Sequence, residues 1–169
     1  MTTADTQLVL RRSYPAPPER IWALWTTPAG IASWWAPDGF STYVDVLDLR
    51  PGGTLSYTMT ATGEEQIAFM EQAGMPLTTL SRKEFTEIDE PARLAYTSLI
   101  DFVPGLEPYE HLTVVTLERT TLGTDVVMEI EPLHDEIWTE RIQAGRANEL
   151  DNLARLIASA DLRGELRRY

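Results

Sequence analysis

The stretch Asp135–Ser159, DEIWTERIQAGRANELDNLARLIAS, decides how the rest of the chain is read. Pro132 and the acidic pair Asp135 and Glu136 stand where a helix starts, at the positive end of its dipole. Successive helical residues are about 100° apart. Trp138, Ile142, Gly145, Glu149, Leu153, Leu156 and Ala160 therefore fall on one stripe, with Arg146, Leu150 and Ile157 on its flank. The ends of that stripe are large and apolar. Its middle is not, because Gly145 has no side chain and Arg146 and Glu149 sit on or beside the same face. A mid-helix glycine costs about 1 kcal/mol relative to alanine, so the pattern predicts a close backbone approach or open space at Gly145. The helix reads as a lid on a hollow interior with one polar spot.

Upstream of it, Thr6 to Tyr14 alternates loosely and reads as a strand. Pro15 to Trp25 then starts a helix, with Pro18 suited to the first turn and Ile21, Trp22, Leu24 and Trp25 as its buried side. Thr27-Pro28 stops it, and Ala29 to Trp35 reads as a second short helix. Tyr43 to Leu49 and Thr54 to Ala61 are strands joined by Arg50-Pro-Gly-Gly, with Leu55, Tyr57 and Met59 on one face. Residues 64–76 have helical composition, with Gly74 as C-cap, where a tight hairpin would suffice. A helical insertion acting as a movable flap is the expectation there. Leu77–Ile88, Arg93–Phe102, Glu110–Arg119 and Thr124–Glu131 are further strands, the last two a hairpin around Leu122-Gly123. Consecutive strands with short turns make an antiparallel sheet, and helices confined to one side make the chain α+β. About six or seven strands are expected to curve around the long C-terminal helix. No internal repeat or linker appears, so residues 1–169 read as one domain.

Composition narrows the function. The chain has five Trp and no Cys, which excludes disulfides, zinc thiolates and cysteine nucleophiles. The formal charge of −12 argues against nucleic acid and anionic membrane as partners. No basic region with an apolar run opens the chain and no stretch is long enough to span a bilayer, so a cytoplasmic location is expected. Nucleophile-elbow, P-loop and dinucleotide-binding glycine patterns do not occur, and Gly52-Gly53 reads as a hairpin turn. His134 lacks a second histidine at metal-binding spacing, so neither a metal nor a cofactor is expected.

Several segments resemble one family. They are Tyr14-Pro-Ala-Pro-Pro-Glu-Arg-Ile-Trp-Ala-Leu-Trp-Thr, Trp34-Trp-Ala-Pro, Asp48-Leu-Arg-Pro-Gly-Gly, Glu87-Ile-Asp-Glu-Pro-Ala-Arg-Leu-Ala-Tyr and Gly145 with Leu150-Asp-Asn-Leu-Ala-Arg-Leu. Together they resemble the heat-shock protein 90 ATPase-activator-like branch of the START/Bet v 1-like (SRPBCC) superfamily, over nearly the whole chain. The resemblance implies a helix-grip fold, a curved antiparallel sheet wrapping the C-terminal helix around an apolar cavity. Its members include lipid and hormone binders and aromatase/cyclases. Two departures touch the expected cavity. Gly145-Arg146 stands where relatives often carry Gly-Trp, and the 64–76 insertion exceeds the usual turn.

Arg146 and Glu149 carry the sharpest chemical signal. Three residues apart on a helix, they can pair, leaving the guanidinium to meet an acidic or carbonyl-bearing ligand while Glu149 holds it. His111 is a candidate pocket base. Trp138, Ile142, Tyr57, Met59, Phe69, Phe85, Tyr96 and Met128 are the expected apolar lining. The leading expectation is a binding protein for a small apolar ligand. A cofactor-free cyclase or hydrolase using Arg146, Glu149 or His111 is the alternative, and a co-chaperone or interaction module is the third. A homodimer and a chaperone stay open as partners.

Overall fold

The computed structural model describes residues 7–101 and 103–162, with side chains through Ser159. Thr6 and Phe102, read as strand ends, and the side chain of Ala160 lie outside the described residues. Strand β1 (Leu8–Tyr14) is followed by helices α1 (Pro18–Thr26) and α2 (Pro28–Trp34), then strands β2 (Phe40–Leu47) and β3 (Thr54–Ala61). Helix α3 (Glu64–Gln72) precedes β4 (Thr78–Asp89), β5 (Arg93–Ile100), β6 (Tyr109–Arg119) and β7 (Thr124–Ile130), and α4 (Glu136–Leu162) closes the chain. The seven strands form one curved sheet in the order β1-β7-β6-β5-β4-β3-β2, every neighbouring pair antiparallel. With two short helices after β1 and the long helix against one face, this is an α+β fold of the helix-grip kind.

The turns follow from residue chemistry. Thr27 ends α1 in extended backbone and starts α2, its hydroxyl accepting from Gly30 N at 3.1 Å. Gly30 is a close approach, since a Cβ there would lie 2.5 Å from the Ala23 carbonyl oxygen. Gly52 has φ +85°, and its amide donates to the Phe85 carbonyl, which stitches the β2–β3 turn onto β4. The interior gathers Trp25, Trp34 and Trp35 edge-on or tilted against one another, with Trp35 also against Tyr57 and Tyr96.

Helix α3 forms where the insertion was expected and ends at Gly74, whose φ is +68°. Its inner side is thin. Met70 is buried and Ile67 half-buried, but Phe69 is 66% exposed. Phe69, expected to line the interior, instead faces solvent, because only one narrow edge of this short helix meets β3.

Helix α4 begins as expected, with the Asp135 carboxylate accepting from Trp138 N at 2.8 Å. Its inner face differs from the stripe drawn on sequence. Arg146, Leu150, Leu153 and Ile157 are buried, Ile142 and Leu156 half-buried, and Gly145 is exposed. The flank is the core, and the helix is rotated because tertiary bonds clamp it. The Tyr14 hydroxyl donates to the Leu150 carbonyl at 2.8 Å, and the Asn152 amide donates to the Ala36 carbonyl at 3.2 Å. Gly145 therefore marks neither a backbone approach nor interior space, as a Cβ there meets nothing within 4 Å. Gly145→Ala is expected to stabilise the protein by about 0.5–1 kcal/mol through helix propensity alone. Thermal unfolding checks this, and an unchanged or lower Tm would show that the glycine has another role.

Candidate functional site

Period-two alternation sends Lys83 and Phe85 of β4 to the same face as Leu55 and Tyr57 of β3, the face toward α4. Antiparallel register then sets Leu55, Lys83, Ser98 and His111 in one row across β3, β4, β5 and β6. Phe85, Tyr96 and Thr113 form the next row. A lysine, a serine and a histidine thus stand together on a concave surface that is otherwise mostly aromatic and aliphatic.

Lys83 is 7% exposed, and its Nζ donates to the Ser98 hydroxyl at 2.8 Å. It lies 5.9 Å from the Tyr57 ring centroid and 5.3 Å from that of Tyr96. Arg146 descends from α4 onto the same Tyr96 ring, its guanidinium carbon 5.9 Å from the centroid. Its Nη1 donates to both Glu149 carboxylate oxygens, at 3.1 and 3.3 Å. Arg146 is 4% exposed and the Glu149 side chain 16%. His111, 1% exposed, donates from Nε2 to the Glu131 carbonyl, which leaves its Nδ1 as the bare nitrogen of the neutral ring. His111, the candidate pocket base of the sequence reading, is thus an interior residue of β6.

Two cationic side chains share this interior with one carboxylate, and burial decides how they respond. Desolvation, with the charge of Arg146 second, brings Lys83 down from 10.5 to about 7 despite the opposing pull of Glu149. Burial works against the Arg146 cation, but the Glu149 carboxylate outweighs it, so Arg146 stays charged. His111 is lowered by burial and by its two cationic neighbours, the Glu131 carbonyl opposing. Burial pushes the Tyr57 and Tyr96 phenols upward. The Tyr96 hydroxyl faces the Trp25 indole without reaching full hydrogen-bond geometry.

Unsatisfied polarity points inward. Arg146 Nε, His111 Nδ1 and Thr113 Oγ1 are buried with no hydrogen-bond partner. A buried polar group without a partner is destabilising by about 1–3 kcal/mol, so Arg146 Nε suits an incoming acceptor and the bare His111 Nδ1 an incoming donor. Ser81, Ser98, Met59, Ile142 and Glu149 are only half-buried. A groove of about 360 Å³ opens among Gly52, Thr54, Arg82, Glu84, Thr97, Leu99 and Glu110, and Lys83 is also in its lining. Its lining is open and charged on both signs.

The structure brings together Arg146, Glu149, Tyr57, Tyr96 and His111 from the sequence reading, with Phe85 in the row beside Lys83 and Ile142 one turn before Arg146. Met59 lies half-buried farther along β3. Met128 is fully buried in β7, in register with Leu10 and Val115, and serves the core. Trp138 stays at the start of α4, beside His134 and under the Arg141 guanidinium. Lys83 was missed. The signals that point to it are its place two residues before Phe85 in an alternating strand and its being the single lysine among 14 basic residues.

Comparison with curated proteins finds no match. Among solved structures, a protein from Chromobacterium violaceum is 26% identical and superposes with a TM-score of 0.69, covering 89% of this chain and 96% of that one. The AHSA1-like protein from Aeromonas hydrophila is 21% identical with a TM-score of 0.72, covering 93% and 95%. A protein from Mycobacterium smegmatis is 20% identical with a TM-score of 0.69, covering 92% and 93%. Likeness at the level of the last two shows the fold. A family model matches residues 15–158, and the chain belongs to the family described as activator of Hsp90 ATPase homolog 1-like protein.

Proposed function

We propose that the space between α4 and the concave sheet face binds a small, largely apolar molecule carrying a carboxylate or carbonyl group. The observation that carries this reading is Arg146. Its Nη1 is held by Glu149 while its Nε is buried without a partner, so the guanidinium is oriented and one edge of it is unsatisfied. Tyr57, Tyr96, Phe85 and Ile142 supply apolar contact around that edge. A co-chaperone-like module is equally compatible with the fold. The unsatisfied donors lie inside, where a small molecule reaches them and a folded partner does not.

The test is a melting-shift titration with benzoate and 2-naphthoate against their uncharged amides. The carboxylates are expected to raise the Tm of the native protein, and the double variant Arg146→Met/Glu149→Gln is expected to lose that response. An equal response in the double variant would remove Arg146 as the anchor.

A further inference from the structure

We propose that Lys83 is an amine nucleophile that holds carbonyl-bearing ligands in this site as an imine, with a carboxylate elsewhere on the ligand against Arg146. The proposal rests on the binding reading above and gives it a reaction. Lys83 is the only lysine in the chain, and the other 13 of its 14 basic residues are arginines. Every other basic side chain is thus a guanidinium, while the one side-chain amine is buried. Its Nζ lies against two tyrosine rings, has Ser98 as its hydrogen-bond partner, and has no carboxylate in ion-pair range among the described residues. Glu149, the nearby acid, is engaged by Arg146.

An ammonium with neither water nor a counter-ion gives up its proton, and a second cation nearby favours the same outcome. The groups facing Lys83 are Arg146 and Glu149 from α4, Tyr57 from β3, Tyr96 from β5 and His111 from β6. With Arg146 the neighbouring charge and near-neutral titration as the result, the amine has its lone pair available at physiological pH. That lone pair attacks the carbonyl carbon, and the C–O π electrons move to oxygen, which takes a proton. The nitrogen releases a proton, the carbinolamine expels water, and a C=N bond remains. One amine and one carbonyl give one imine and one water, so no oxidant or reductant enters. Arg146, on the same ring as Lys83, holds the ligand's carboxylate while the carbonyl meets the amine. The Ser98 hydroxyl, 2.8 Å from Nζ, is the group within reach of the departing proton.

The native protein is incubated with 4-formylbenzoate and cyanoborohydride at pH 7.5, and the products are mapped by peptide mass. One adduct on Lys83 is expected, forming at least about a hundredfold faster than in urea, where an ordinary lysine is only ~0.1% neutral. Lys83→Arg and Lys83→Met are expected to carry none beyond the α-amino background. An unmodified Lys83, or labelling no faster than in urea, overturns the imine. If benzoate still raises the Tm in that case, the binding site stands and only its chemistry falls. If benzoate is also silent, both fall.

Discussion

Lys83→Met is expected to raise the unfolding free energy at pH 7 by about 3 kcal/mol, within the range seen when buried charges are replaced by apolar residues of similar volume. Lys83 is lowered by burial from 10.5 to about 7 in the folded protein. Below pH 7 both states are protonated, and the folded state carries the whole penalty of a buried ammonium. Between about 7 and 10.5 the folded amine is neutral while the unfolded one holds its proton. The unfolded state then binds one proton more, so stability rises with pH, by at most about 1.4 kcal/mol per unit. Above pH 10 the trend reverses. Tyr14, Tyr57 and Tyr96 are raised by burial, so the unfolded chain loses phenolic protons that the folded one keeps. Burial of His111 adds a separate rise that ends near the ordinary histidine range. Urea unfolding from pH 6 to 10 should therefore show stability climbing to a maximum above pH 9. In Lys83→Met the climb between 7 and 9.5 should flatten. A destabilised variant with the slope intact would mean that Lys83 is charged and well paired.

Arg146→Met is expected to act in the opposite direction, lowering stability by about 3 kcal/mol at pH 7. Removing one partner of a buried pair leaves the other charge uncompensated, which costs about 3–5 kcal/mol when burial is complete. Glu149 keeps 16% of its side chain exposed, which places the loss at the lower end. Lys83 limits it further. Arg146 lowers Lys83 and Glu149 raises it, so without Arg146 the amine regains its proton and becomes the new partner of the carboxylate. The stability climb assigned to Lys83 should then begin at higher pH than in the native protein, which is measured in the same urea series. Adding Glu149→Gln should recover most of the loss, since an apolar Met and a neutral amide leave no buried charge behind on α4. A double variant no more stable than Arg146→Met would show that the guanidinium supports the fold through Tyr96 rather than through Glu149.

What was legible in the sequence was whatever depends on neighbours along the chain. Pro18, Thr27-Pro28, Gly52-Gly53, Gly74 and Asp135 mark element ends through local backbone chemistry, and every strand and helix was anticipated to within a few residues. The Arg146–Glu149 pair was legible for the same reason, since one helical turn sets its spacing. Side-chain direction was less accessible. The face of α4 depended on Tyr14 and Ala36, more than a hundred residues away, and these bonds rotate Gly145 out and Arg146 in. Phe69 looked interior by composition, but a short helix on a sheet end buries only the edge that touches. Lys83, Ser98 and His111 meet only through strand register, and the Arg146 charge that adds to the effect of burial on Lys83 comes from a helix residue 63 positions farther on. The sequence by itself determined the elements, their order and the presence of one charged pair on the final helix, because these rest on periodicity and backbone preference. Only the tertiary structure decided that a lone lysine would join that pair without water, because desolvation is a property of the assembled interior.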